Sequence, residues 1–148
     1  VQPRSNPTVT NGTLLGSTGT DAGIVLRRGT IGSLSGLVVA DWTGPGVDVR
    51  DGSWDPAWPA DMSVSDTCFW NNDPDYAVDD NDPNGDTPPA LFDEPTELAD
   101  GLGNTVDQNP TITDRAGHDY AVGNSNCAGA FAPSGTDWTT GWTDYSVN

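Results

Sequence analysis

The chain has no lysine, one histidine, one methionine and two cysteines among its 148 residues, and no apolar run approaching the roughly 20 residues that span a bilayer. Each scarcity excludes something. All five basic side chains are arginine and stand against 22 acids, for a formal net charge of -17. Such a surface repels polyanions at long range, which excludes nucleic acid and anionic membranes as partners. It suits salty or calcium-containing water, where counterions screen self-repulsion over about 10 Å or less; plain solubility accounts for it equally well. Any Ser-His-Asp relay would have to use His118, in RAGHDY, yet no G-x-S-x-G elbow occurs. Beside Asp119, that histidine reads as a surface or hydrogen-bonded structural residue. Among 22 acids a glycosidase pair cannot be singled out. No catalytic residue is therefore assigned, and the chain is expected not to be an enzyme.

Neither cysteine belongs to a CxxC or CxxCH motif, which excludes a thioredoxin-like site, an attached c-type haem and a thiolate zinc cluster. A Cys68–Cys127 disulfide would close a loop of about 60 residues and contribute on the order of 4 kcal/mol. Two buried free thiols are the alternative; a secreted composition favours the bridge. The opening VQPRSNPTV carries no initiator Met, charged leader or hydrophobic stretch. The start thus reads as cut, by processing or because the chain is a piece of a longer protein.

What the sequence does have is glycine and proline, 18 and 12 residues, with 34 % hydrophobic and 8 % aromatic content. That balance favours strands and turns over helices, in a single domain large enough for a core. It also has a repeated word. GIVLRRG at residues 23 to 29 returns as GVDVRDG at residues 46 to 52. Strand alternation sets Ile24 and Leu26 on one face, with Val47 and Val49 at matching positions, and Val25, Arg27, Asp48 and Arg50 on the other. Gly23, Gly29, Gly46 and Gly52 bound the copies, as sharp turns require. Apolar segments VTNGTLLG and LSGLVVAD precede them, giving a unit of about 23 to 25 residues. That period, with short strands and turns, marks a solenoid, and a right-handed parallel β-helix fits best. Its coils would stack about 4.8 Å apart, Ile24 over Val47 and Leu26 over Val49. An antiparallel sandwich is the competing fold, but it has no reason to repeat a heptapeptide.

The segment SNPTVTNGTLLGSTGTDAGIVLRRGTIGSLSGLVVADWTGPGVDVRDG and the ending GAFAPSGTDWTTGWTDYSVN resemble the last coils and closing segment of large secreted bacterial β-helix proteins. The resemblance covers residues 5 to 52 and about 129 to 148. It implies export, a β-helix body and a terminal cap, and supplies no catalytic residues. Those bodies have many coils, whereas two full ones are counted here. An exposed upper edge should therefore be covered by further coils or another subunit.

The expected plan is an all-β fragment of about two to three coils at residues 1–52, an irregular acidic insertion at 53–103 and a returning strand with a Trp-rich cap at 104–148. The insertion holds seven prolines and is expected to have few strands, with one short helix at PTELADGLG. A last strand is expected in NTVDQNPTIT. Within the insertion, DDNDPNGD places Asp80, Asp82, Asn84 and Asp86 at alternate positions around Gly85, the D-x-D-x-N-G-D spacing that lets oxygens converge on calcium. Leu91 stands where an EF-hand needs Glu, so this is no EF-hand, and a solvated acidic turn is the alternative. Trp54 and Trp58, like Trp138 and Trp142, are paired four apart. Exposed, they could stack on sugar rings; core or cap use is favoured. Arg27, Arg28 and Arg50 could hold a carboxylated polysaccharide, though Asp48 and Asp51 beside them favour a self-neutralised surface.

These features give three expectations. The first is a structural, self-assembling protein of the bacterial cell surface or extracellular space, in a filament or surface layer, whose edge stacks on further coils or subunits. The second is a carbohydrate-binding or polysaccharide-cleaving β-helix. The third is a calcium-stabilised C-terminal cap of a larger secreted protein.

Overall fold

A computed structural model gives the fold and describes residues 5–17, 19, 21–27, 30–50, 62–78, 104–105, 108–115 and 119–130. Nine short strands run in three rounds. The first is β1 (Thr8–Thr10), β2 (Thr13–Leu15) and β3 (Ile24–Arg27). The second is β4 (Gly32–Ser35), β5 (Val38–Ala40) and β6 (Val47–Arg50), and the third β7 (Met62–Ser65), β8 (Cys68–Trp70) and β9 (Tyr76–Val78). Each strand of the first two rounds pairs in parallel with the third one after it, giving the sheets β1–β4–β7, β2–β5–β8 and β3–β6–β9. The described residues contain no helix. The fold is all-β, its stacked parallel sheets consistent with a β-helix-like solenoid.

The chain turns from one sheet to the next at residues that tolerate a left-handed backbone. Asn11 (φ 55°), Gly36 (φ 63°) and Asp66 (φ 50°) end β1, β4 and β7, and Asp41 (φ 62°) and Asn71 (φ 51°) end β5 and β8. Most side chains pay about 1–2 kcal/mol there, whereas Gly, Asn and Asp adopt it readily. Two residues, the first of them left-handed, separate β1 from β2, β4 from β5 and β7 from β8, so the corner itself repeats.

Register stacks like on like. Val9, Leu34 and Val64 form one column, and Leu14, Val39 and Phe69 a second. Ile24 meets Val47 and Leu26 meets Val49, the pairing that the repeated word predicts. Leu26, Leu34, Leu37, Val39, Val47, Val49, Val64 and Phe69 make one buried cluster, with Leu14, Ile24 and Trp42 packed against it. A second cluster lies on the outer face of β2–β5–β8, where Val38, Ala40 and Cys68 meet Val122 and Cys127. β5 is therefore buried on both faces, which is why it reads Val-Val-Ala without a polar alternate.

The third round corrects the expected plan, because β7, β8 and β9 lie inside residues 53–103, read as an irregular insertion with few strands. Their partners are not at the expected period. Thr8 pairs 25 residues on with Ser33, but Ser33 pairs 30 residues on with Ser63. The longer step arises between β6 and β7, where residues 51–61 replace the four residues that join β3 to β4. The expected short helix near residues 95–101 lies outside the described residues. In the segment NTVDQNPTIT, Thr105 makes a parallel bridge to Cys68, and β10 (Ile112–Arg115) then begins an antiparallel hairpin with β11 (Asp119–Val122).

Candidate functional site

The disulfide is formed. Cys68 and Cys127 are bonded at a Cα–Cα distance of 5.6 Å, both buried. The bridge anchors a strap that crosses all three rounds on the outer face of β2–β5–β8. Cys127 holds it to β8, the Gly129 N–H donates to Gly36 O beside β5 (3.0 Å), and the Ala130 N–H donates to Thr13 Oγ1 on β2 (2.9 Å). Gly129 (φ 66°) has no room for a side chain, since a Cβ would stand 2.8 Å from Val122 Cγ2 and 3.1 Å from Val38 Cγ2.

The two ends of the stack differ. Among the described residues, no strand pairs with the outer edges of β1, β2 or β3. The apolar columns open there: Val9 is 42 % exposed, Leu34 below it 6 % and Val64 0 %. Leu14 and Ile24 are likewise half-buried, over fully buried Val39 and Val47. At the other end, β8 is already occupied. The Phe69 N–H donates to Thr105 O (2.8 Å), the Thr105 N–H to Thr67 O (2.9 Å) and the Gln108 N–H to Phe69 O (3.3 Å). The Asn104 side chain accepts from the Thr67 N–H (3.0 Å) and donates to Val64 O (2.7 Å), engaging the corner and one carbonyl of β7. Thr67 is itself fully buried, its hydroxyl donating to Ser65 O (3.0 Å).

Charge follows the same polarity. Residues 1–28 hold three of the five arginines (Arg4, Arg27, Arg28) and one of the 22 acids (Asp21), so the open round forms from the least acidic part of the chain. At the second corner the acids and amides serve structure. Asn71 Nδ2 donates to Asp41 Oδ1 (2.8 Å), and Asn72 Nδ2 donates to Val39 O (3.0 Å) and Asp75 Oδ1 (2.7 Å). Among the described residues no three His, Cys, Asp or Glu side chains converge as a metal group.

The residues singled out from sequence are placed unevenly. Arg27 is exposed on β3 and pairs in backbone register with Arg50 of β6, with Val25 exposed beside it. Asp48, expected on an open outer surface, is 4 % exposed. Arg28, Trp54, Trp58, Asp80, Asp82, Asn84, Asp86, His118, Trp138 and Trp142 lie outside the described residues. Sequence reasoning passed over the tryptophans that are described. Trp42 packs on the interior cluster and donates from Nε1 to Leu14 O (3.3 Å), and Trp70 packs on the outer one. It also passed over Asn104, whose side chain closes a corner; the recurring pattern TVTN, SLSG and SVSD, which marks each corner, would have located Asp66 and the residues it exposes for capping.

Comparison with family models, with curated proteins and with solved structures finds no match to this chain.

Proposed function

We propose that this chain is a non-enzymatic structural protein of the extracellular space or cell surface, a right-handed parallel β-helix unit whose β1–β2–β3 edge stacks on a further coil. The observation that carries this reading is the exposure gradient along the Val9, Leu34 and Val64 column: the same aliphatic position is buried where a round lies above it and open where, among the described residues, none does. Unpaired edges of parallel strands invite pairing, and solenoids draw stability from each neighbour interface. Covering Val9 alone is worth on the order of 1 kcal/mol, before the new backbone bonds and the burial of Leu14 and Ile24. The resemblance of residues 5 to 52 and 129 to 148 to the closing coils of large secreted bacterial β-helix proteins supports the same reading, as does the disulfide, which persists in oxidising compartments. Calcium held by Asp80, Asp82, Asn84 and Asp86 would add to the stability of such a unit by neutralising an acidic loop.

The test is an extended chain with a second copy of residues 5–50 inserted between residues 4 and 5. Arg50 of the added copy is then joined to β1 by Ser5, Asn6 and Pro7, close to the four residues that join β3 to β4. Amide exchange over residues 8–15 is expected to slow by at least an order of magnitude relative to the native chain, since a paired edge opens only with its neighbour. Unchanged exchange over those residues overturns the proposal.

A further inference from the structure

Stacking in this fold has a direction, and the two ends of the described structure are not equivalent. For one copy to grow on another head to tail, the β1–β2–β3 edge of the second must pair with the β7–β8–β9 edge of the first. On β8 the Phe69 N–H and C=O are already engaged by Thr105 and Gln108, and Asn104 engages Val64 O and the Thr67 N–H. A parallel strand arriving there finds these groups used. The remaining way to join two copies is open edge to open edge. That sets two runs of strands against each other in the antiparallel sense and brings together two chains of charge -17. Among the described residues the first route meets engaged groups at β8, and the second opposes two strongly acidic chains.

We infer that this chain is the terminating unit of a stack: it accepts one parallel β-coil on its β1–β2–β3 edge and blocks growth at the Thr105 end, so it does not polymerise with itself. The occupant of the open edge is a coil of a different or longer β-helix, with aliphatic residues at alternate inward positions to continue the Val9, Leu14 and Ile24 columns. Its lower edge must be bare, which that of a second copy is not. The local charge agrees. Residues 1–28, the stretch of sequence that supplies the open round, hold three arginines against one acid, so an acidic coil of the same kind meets less repulsion there than the rest of the chain would impose. This inference rests on the stacking proposed above and narrows it from a self-assembling filament to a one-ended partner.

The experiment compares the native chain, the uncapped variant Asn104→Ala/Thr105→Pro, and the same variant carrying Val9→Asp, by light scattering from dilute to concentrated solution. Thr105→Pro removes the N–H that Thr67 O receives and Asn104→Ala frees the corner. The native chain is expected to remain a monomer throughout. The uncapped variant is expected to gain concentration-dependent oligomers, and Val9→Asp to abolish them. Native oligomers of any kind overturn the inference. So does an uncapped variant that stays folded by circular dichroism and remains monomeric. If that variant does not fold, the native chain's own scattering decides, a monomer supporting the inference and an oligomer overturning it. The extended chain separates the two failures. Protection of residues 8–15 there, with a folded but monomeric uncapped variant, defeats the one-ended inference alone; no protection defeats the stacking itself.

Discussion

Reducing the Cys68–Cys127 bridge isolates what the strap contributes, because reduction keeps both sulfurs in place and opens no cavity. The sequence separation is 59 residues, and closing a loop of that length in the unfolded chain is worth about 4 kcal/mol at 25 °C in chain-entropy terms. Against a typical total of about 5–15 kcal/mol this is a large share, and for a domain of this size it corresponds to a fall in Tm of roughly 10 °C. The loss should not be spread evenly. Once the covalent anchor at β8 is gone, the strap keeps Val122 and Cys127 packing and hydrogen bonds that include Gly129 N–H to Gly36 O and Ala130 N–H to Thr13 Oγ1. Those two amides should therefore exchange first, while the interior column at Val39 and Phe69 keeps its protection. The assay is denaturant unfolding with and without reductant, with amide exchange read at residues 127–130; the double variant Cys68→Ala/Cys127→Ala serves as an independent check and should lose slightly more through the small cavity it leaves. An unfolding midpoint unmoved by reduction, or Gly129 protected equally in both states, refutes the reasoning.

Leu26→Asp buries a carboxylate against Val49 in the interior and should cost several kcal/mol, enough to abolish the cooperative unfolding transition seen by circular dichroism. At the corner after β7, Asp66→Val forces a β-branched residue to φ 50° and should cost about 1–2 kcal/mol in urea unfolding, whereas Asp66→Gly should leave stability unchanged or raise it. If Asp80, Asp82, Asn84 and Asp86 hold calcium, stability should rise by about 2.7 kcal/mol at a hundredfold excess over Kd. Calorimetric titration should then show saturable heat that Asp82→Ala removes; an equal effect of sodium at matched ionic strength reduces the loop to a solvated acidic turn.

Two rounds of the fold were legible because the sequence spells them twice. Ile24, Leu26, Val47 and Val49 alternate in phase, and glycines close both copies, so period and facing follow from strand geometry alone. The third round was hidden by spacing and composition. MSVSDTCFW follows the same corner grammar as TVTNGTLL and SLSGLVVA, yet it arrives after a step of 30 residues instead of 25, among prolines and acids that read as loop. The strap was not legible at all. LVVA announces a strand buried on both faces, but nothing in residues 122–130 says that they are the cover; only the cysteine pair hinted at it, by linking positions 68 and 127.

The same geometry orders the three rounds by how firmly each is held. β5 is paired on both sides, buried inward by Val39 and covered outward by Val122 and Gly129, so no water reaches its hydrogen bonds without sub-global opening. β8 is paired to β5 on one side, bridged by Thr105 on the other and tied covalently to the strap. Among the described residues β1 has one strand partner, β4; all three of its residues are exposed, and the strap contacts the first round at Thr13 on β2. Amide exchange in the native chain should therefore be fastest in β1, slower in β8 and slowest in β5, the spread reflecting local opening energies that range from near zero up to the global stability. The covalent anchor sits at the closed end, and the open round is left with the fewest ties, as a round would be whose remaining stability comes from a coil above it. Residues 8–10 exchanging as slowly as residues 38–40 in the isolated chain would mean that the edge is already covered, and both the stacking and its direction would fall together.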